Sequence, residues 1–478
     1  MEASESDIVI IGGGVGGLTA AYGMLYNGLT VTMVERHQML GGESLRHNCI
    51  PTKTLLHSAR VAHLVKNAER FGVDAYLLSV DLSKVNNRID EVVEEIQTEE
   101  NSGWFTNMGG KIVHGSAKFL DSSTIIVGNV KLRGKKFIIA TGTRAAVPNI
   151  PGLDAIGYLT NETIFQKLSL PQKIIVVGGG CTGIEFAQAF ARLGSKVAVV
   201  EHCSQILKNE DPELTWHLRS ILEQDGIEFY HGTYIQEVYW QNKRKILICS
   251  NSTGEKFALD SNEIFIATGR TPNTDGLNLE IAGVHYDERG IFVDKFLRTS
   301  NKKIYALGDV INGVNKYSHV AEYQANSVVN HILFKIPFCS KNKIIPRVVY
   351  TDPELAQVGV TEQEAAKYRF SKIEILRLDL KDNDRAITCG AFTGRVKLLV
   401  SHNRIVGASI LGPHAGELIC ELALAINMKA RLEDIAMTLH PYPTFAQINR
   451  RVINKHVNSK GINHYSKKVV SLVQKVFV

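Results

Sequence analysis

Along residues 7–36 a run of mostly β-branched apolar residues, DIVII, gives way to a cluster of glycines, then to apolar positions at helical spacing, then to a second apolar run ending at Glu35. A periodicity that passes from strand-like to helical and back predicts a strand, a tight turn, an amphipathic helix and a second strand, the βαβ unit. The same pattern returns without a gap at 173–202 (KIIVVGGGCTGIEFAQAFARLGSKVAVVEH), offset by 166 residues. Each unit is followed by an apolar strand running into a Thr-Gly turn, IIATGTR at 138–144 and IATGRTP at 266–272. Two similar nucleotide-binding halves are therefore expected. After PFCSKNKIIP (337–346) the pattern changes to strands such as VKLLV (396–400) and the helical GELICELALAIN (416–427), which places a third domain from about residue 345. The last residues, YSKKVVSLVQKVFV (465–478), carry basic residues and an apolar stripe at helical spacing. Packing on the protein itself or on a dimer partner is preferred for this stripe over contact with a membrane surface.

Composition narrows the class. A chain of 478 residues with 44% hydrophobic and 21% charged residues has the length and usage of about three ordinary globular domains. A net charge of +6 over this length gives no argument for a nucleic-acid partner. Residues 8–34 lack charge, but seven glycines interrupt them and an acidic segment, MEASESD, precedes them, so neither a membrane span nor a secretory signal is expected. The seven cysteines are odd in number, widely spaced and without a C-x-x-C pair. That usage suits a reducing, cytoplasmic setting, and no metal site is proposed.

The glycine turns carry the first chemistry. Gly12, Gly14 and Gly17 form G-x-G-x-x-G, in which the first glycine permits the turn, the second lets backbone approach a pyrophosphate and the third lets helix pack on strand. The helix N-terminus then favours the diphosphate. Glu35 falls where a carboxylate accepts hydrogen bonds from a ribose diol. Gly178, Gly180, Gly183 and Glu201 repeat the arrangement, so two dinucleotides are inferred. A carboxylate at Glu201 favours the free ribose hydroxyls of NAD over the extra phosphate of NADP, with His202 and Lys208 as nearby positive charge that could soften the preference.

At GGESLRHNCIPTKTLL (41–56) the chain resembles the redox segment of the pyridine nucleotide-disulfide oxidoreductases, the flavoenzymes that include dihydrolipoyl dehydrogenase, glutathione reductase and mercuric reductase. The resemblance extends through both glycine motifs, both Thr-Gly turns, YALGDV (305–310), SHVAEYQA (318–325) and VVYTDPELAQVGVTEQEA (348–365). It implies an α/β fold with two Rossmann-like domains and a C-terminal α+β dimerisation domain. The FAD domain would comprise 1–150 and 275–344, split by an NAD(P) domain at 151–274, with the dimerisation domain at 345–478. FAD would occupy the first half, NAD(H) the second, and the chain would form a homodimer. Asp309, beside Gly308, would hold the flavin's ribityl chain. Gly42, Lys53, Thr141 and Gly142, and in the second turn Gly269 and Arg270, fall at cofactor-binding positions.

The departures bear on mechanism. The family's redox segment has two cysteines separated by four residues; here Ser44 stands at the first and Cys49 at the flavin-proximal second. Lys53 matches the lysine near the reactive flavin nitrogen, and Glu185 its ion-pair partner. The family's H-P-T-x-x-E becomes YPTFAQ (442–447), so Tyr442 and Gln447 replace the catalytic His and its Glu. A serine forms no disulfide and a neutral tyrosine is a poor proton shuttle at neutral pH. His440, two residues away, is read as structural. Three changes in one relay point to an altered natural acceptor. Mercuric reduction is not expected, because the chain ends in KVFV without paired cysteines and no metal-binding domain precedes residue 7. The preferred expectation is an FAD-dependent NADH oxidoreductase that passes electrons from flavin to a small quinone or diaphorase-type acceptor. Cys49 would tune the flavin, cycle as a sulfenic acid or mixed disulfide, or stand by as a spectator. A disulfide reductase using Cys49, and a flavin-bound redox sensor or scaffold, are the competing readings. Cys181, which falls where several relatives gate the nicotinamide pocket, is read as a small buried residue. Cys203, Cys249, Cys339, Cys389 and Cys420 are expected mostly to be packing residues.

Overall fold

Apolar side chains at Ile8–Ile11 fill both faces of the second half of the strand Ser4–Ile11, which pairs in parallel with Val31–Glu35 on one side and Val130–Ile139 on the other. The intervening helix Val15–Tyr26 completes the first βαβ unit expected from the sequence. The computed structural model describes residues 4–99, 102–313, 316–335, 344–367, 372–461 and 474. Cys339 and, apart from residue 474, the basic segment 465–478 lie outside the described residues. The chain divides into two units, one built from 1–178, 189–200 and 233–342, the other from 179–188, 201–232 and 343–478.

In the first unit the sheet runs Lys111–His114, Val31–Glu35, Ser4–Ile11, Val130–Ile139, Thr124–Val127, Ala117–Phe119, with Ile304–Ala306 added in parallel to Val130–Ile139. Such a parallel centre buries both faces, which is why its strands read as continuous apolar runs rather than alternating ones. Ile8, Ile10, Met24, Met33, Phe105, Phe119 and Phe137 are fully buried in its core. The second repeat supplies Lys173–Val177, paired in parallel with Lys196–Val200 and Glu263–Ile266. The strands leaving the two Thr-Gly turns, Thr143–Ala145 and Arg270–Pro272, pair with each other in antiparallel register. That pairing brings residues 127 apart in sequence to one place.

The second unit is organised on a five-stranded antiparallel sheet in the order Arg347–Val349, Glu354–Gly359, Arg404–Gly412, Arg395–Ser401, Glu374–Asp379. The helices Ala415–Asn427 and Gln447–Gly461 contribute Leu418, Ile419, Leu422, Ile448, Val452 and Ile453 to its core. The helix Pro212–Gln224 opens with Pro212 at its first position and Asp211 as N-cap, whose carboxylate accepts from the Glu213 and Leu214 N–H groups. Strand Arg395–Ser401 carries Lys397, only 2% exposed, among the carboxylates of Asp211, Glu213 and Glu362. Among the described residues no helix is long and apolar enough to cross a membrane.

Candidate functional site

The first glycine turn is shaped by what lies against it. Gly12 has φ +108°, and a Cβ there would fall 2.4 Å from the Ala140 carbonyl oxygen, in the strand that leads into Thr141-Gly142. Only glycine combines that dihedral with that approach. Glu35, 6% exposed, closes the loop from the other side: Oε2 accepts the Gly13 N–H at 2.8 Å and Oε1 the His37 N–H at 3.0 Å. The helix Val15–Tyr26 that follows has no side-chain cap and no acidic residue in its first turn. Its leading N–H groups are thus left for an anion.

The second half reproduces these contacts, with Gly178, Gly179, Glu201 and Cys203 each 166 residues after their counterparts Gly12, Gly13, Glu35 and His37. A Cβ at Gly178 would again lie 2.4 Å from a carbonyl oxygen, that of Ala267 in the second Thr-Gly strand. Glu201 accepts the Gly179 N–H through Oε2 at 2.5 Å and the Cys203 N–H through Oε1 at 2.8 Å. Each acid therefore fixes its own glycine loop as well as standing where a ribose would meet it. Glu201, His202 and Cys203 also bring possible metal ligands within 4.8 Å of one another, a grouping of adjacent residues that motif spacing does not reveal. Its carboxylate is already engaged by two backbone N–H groups, and His202 Nδ1 lies 3.0 Å from it.

The segment 41–53 folds as the short helix Gly42–Arg46 followed by the helix Cys49–Lys66, of which Cys49 is the first residue and Lys53 stands one turn on. Gly42, at φ +64°, lies so close to Gly14 that a Cβ would meet the Gly14 Cα at 2.6 Å. The segment is thereby fixed to the first glycine turn. Ser44 does not stand alone: its Oγ is 2.6 Å from the Oγ of Ser318, which is in turn 3.6 Å from Cys49 Sγ. Next to it Glu43 ion-pairs with Arg270 and accepts from Asn161 Nδ2 at 2.7 Å. Arg270 also donates through Nε to Thr143 Oγ1 at 2.7 Å, and Thr143 Oγ1 donates to Asp309 Oδ2 at 3.1 Å. Burial raises the Asp309 carboxyl above the ordinary carboxylate range, against the pull of Arg270, Thr143 and Lys316. Burial likewise holds Arg270 below the usual guanidinium value, with Asp309 opposing it. Two sets of contacts thus meet at neighbouring residues of the chain, Glu43 through Arg270 and Thr143 to Asp309, and Ser44 through Ser318 to Cys49.

Residues 6–325 match the pyridine nucleotide-disulphide oxidoreductases, and residues 345–451 match the dimerisation domain of the same proteins. The chain belongs to this family. Among its relatives, a mercuric reductase of Lysinibacillus sphaericus is 32% identical over 446 residues, covering 92% of this chain and 81% of that protein. The mitochondrial dihydrolipoyl dehydrogenase 2 of Arabidopsis thaliana is 35% identical over 457 residues, covering 93% and 89%. The HOCl-induced flavoprotein disulfide reductase RclA from Escherichia coli superposes with a TM-score of 0.85 at 26% identity, covering 94% of this chain and 99% of that one. Family members use FAD and NAD(P)H, and the dimerisation domain supports a homodimer. The residues present suit such groups: two carboxylate-closed glycine loops and an uncapped helix N-terminus in the first half are what a dinucleotide diphosphate and ribose require.

Glu185 is buried in the helix Cys181–Leu193 and accepts the Tyr350 N–H at 2.8 Å. Tyr442 is 69% exposed, and Gln447 begins the helix Gln447–Gly461. The Tyr442 phenol hydrogen-bonds Asp384, whose carboxyl is held below the ordinary range by Arg451 first and by that bond in addition. His440 has Nε2 2.9 Å from Glu421 and Nδ1 3.1 Å from the Thr438 carbonyl. Both nitrogens are thus engaged by residues of its own unit. The expected packing role of the cysteines needs correction. Cys249 is buried, and burial pushes its thiol up to about 11, but Cys181 and Cys420 are exposed, while Cys203 and Cys389 are half-buried. Cys181 is exposed because it opens a helix directly after Gly180, which has open space beside it. Ser318, within the SHVAEYQA stretch, is a contact that sequence reasoning missed. It lies 274 residues from Ser44, and no spacing rule joins them.

Proposed function

We propose that this chain is an FAD-dependent NADH oxidoreductase that delivers electrons to a small acceptor of the quinone or diaphorase type without a disulfide relay. The observation that carries this reading is the environment of Cys49, whose hydrogen-bonding neighbours are the hydroxyl of Ser318 and, through it, that of Ser44. A hydroxyl cannot store electrons as a disulfide. FAD and NADH, when bound, supply the hydride and two-electron chemistry. The chain's own part is to hold the two dinucleotides by Gly12, Gly14, Gly17 and Glu35 in one half and Gly178, Gly180, Gly183 and Glu201 in the other. Proximity and orientation then account for the first transfer. Lys53 would stabilise negative charge developing near the head of the helix Cys49–Lys66, and Asp309 would fix the polyol chain. Glu201 favours NADH because its charge repels a 2′-phosphate.

The similarity to dihydrolipoyl dehydrogenases supports a second reading, a disulfide reductase that uses Cys49 with a thiol from elsewhere. An anaerobic NADH titration of the FAD-loaded protein separates the two. One two-electron equivalent to full reduction, followed by reoxidation with quinone but not lipoamide, is the expected result. Uptake of a second equivalent with lipoamide turnover would establish the disulfide reading in its place.

A further inference from the structure

A carboxylate, an imidazole and a thiol follow the strand Lys196–Val200 in three consecutive residues, Glu201, His202 and Cys203. The imidazole lies between its two neighbours: Nδ1 is 3.0 Å from Glu201 Oε1 and Nε2 is 3.4 Å from Cys203 Sγ. An ion held by nitrogen and sulfur bonds of about 2.1 and 2.3 Å at a tetrahedral angle keeps those two atoms roughly 3.6 Å apart. Nε2 and Sγ therefore already stand at the bite of a single ion. The other ring nitrogen faces a carboxylate, the partner that fixes the tautomer of a metal-bound histidine and leaves Nε2 its lone pair. Glu201 is itself held in place, 7% exposed, with Oε2 accepting the Gly179 N–H and Oε1 the Cys203 N–H. The His202 side chain is 62% exposed, so a cation reaches the pair from solvent. Thiolate with imidazole suits a soft or borderline ion such as zinc and not magnesium or calcium.

From this arrangement we propose that His202 Nε2 and Cys203 Sγ bind one thiophilic divalent cation of the zinc type, with Glu201 orienting the imidazole and water completing the coordination, and that the bound cation shifts coenzyme choice. On binding, the thiol proton passes to solvent and a sulfur–metal bond replaces the S–H bond. A divalent ion paired with one thiolate leaves a net single positive charge beside Glu201, the ligand atoms of the three residues lying within 4.8 Å of one another. That charge offsets the repulsion with which the Glu201 carboxylate opposes a 2′-phosphate, so the cation favours NADPH relative to NADH. The spacing of cysteines and histidines along the chain does not mark the site, because its ligands are adjacent residues turned toward one another by the acid between them and the glycine loop. The effect on coenzyme choice rests on the reading of the chain as an NADH oxidoreductase; the cation site does not.

The test uses the full-length FAD-loaded protein, titrated with zinc chloride by calorimetry and with cobalt chloride by absorbance. The kcat/KM for NADH and for NADPH, with menadione as acceptor, is measured with and without zinc. The wild type should bind one more equivalent of zinc than Cys203→Ser, and cobalt should give a sulfur-to-metal charge-transfer band that Cys203→Ser lacks. His202→Gln should weaken zinc at least about ten-fold. Zinc should lower the ratio of NADH to NADPH kcat/KM about ten-fold in the wild type and leave it unmoved in Cys203→Ser. A ratio cancels any inhibition by zinc held elsewhere that falls on both coenzymes alike. Flavin absorbance of each variant shows that it is folded and loaded. Equal zinc and cobalt binding by wild type and Cys203→Ser overturns the site. Binding that Cys203→Ser abolishes, with a ratio that zinc does not move, overturns the effect on coenzyme choice. Absence of turnover with either coenzyme overturns the oxidoreductase reading, while the zinc and cobalt titrations still decide the site.

Discussion

Lys397 places its ammonium 2.8 Å from the Asp211 carboxylate, with one side chain 2% exposed and the other fully buried. Asp211 also caps the helix Pro212–Gln224, so the pair joins the sheet of the second unit to a helix start. Taking away one member of a buried pair leaves the other charge uncompensated, at a cost of about 3–5 kcal/mol. Lys397→Met should lower the free energy of unfolding measured by urea titration by that order, and adding Asp211→Asn, which keeps a capping oxygen, should restore much of it. Equal stability of wild type and Lys397→Met would show the pair to be energetically idle.

Acid should weaken the same region. Burial by itself would raise the Glu213 carboxyl, but Arg377, Arg395 and Lys397 outweigh it and hold the group at about 2, below its ordinary 4.5. A depressed folded-state value means that the unfolded chain binds the proton first. The contribution of Glu213 is therefore whole above pH 4.5 and is lost as pH falls from there toward 2. Glu213→Gln should flatten the stability profile across that window, and a parallel profile for variant and wild type would contradict the assignment.

The loop contact of Glu201 and the coenzyme choice proposed for it can be separated by substitution. Glu201→Gln keeps an acceptor for the Gly179 N–H but removes the charge that opposes a 2′-phosphate. The ratio of kcat/KM for NADH over NADPH should drop about ten-fold, corresponding to roughly 1.4 kcal/mol. Glu201→Ala, which also opens the loop, should weaken both nucleotides. A ratio unmoved in the glutamine variant would place coenzyme choice elsewhere.

Ser44→Cys tests how much of the relay the first position alone controls. A thiol there should let the protein take up a second two-electron equivalent of NADH before full reduction. Lipoamide turnover should nonetheless stay at least about a hundred-fold below that with quinone, because Tyr442 and Gln447 supply no proton shuttle, and general acid–base help is worth about that factor or more. Brisk lipoamide turnover in this variant would show that another base already serves the site.

The parts of the fold that are local in sequence were legible. Strand, glycine turn, helix and acid succeed one another within 30 residues in each half, and the periodicity shift marks them because a parallel strand buried on both faces cannot alternate. The glycine positions were readable too, since Gly12 and Gly178 each face a carbonyl that admits no side chain. Contacts between distant segments were not. Arg270 meets Glu43 across 227 residues and Ser318 meets Ser44 across 274, joined only because the strands after the two Thr-Gly turns pair and the helix Ser318–Phe334 begins beside the redox segment. Lys397 was hidden for the opposite reason: a lysine in an apolar strand reads as an outward-facing residue until its three carboxylates come from other elements. The cysteines misled because their exposure follows from local position: Cys181 opens a helix, Cys203 lies in a bend after a strand, Cys389 caps the end of a short helix and, among the described residues, only Cys249 sits in a buried strand position.

The carboxylates that close the two glycine loops do so with the protein's own N–H groups, at Gly13 and His37 in one half and at Gly179 and Cys203 in the other. Neither loop waits for a nucleotide to give it shape. Each cradle is preorganised, so little conformational entropy is lost when a dinucleotide arrives, and affinity is not spent on moulding the backbone. The duplication thus leaves the chain with two glycine loops, each given its shape by its own acid before any ligand binds.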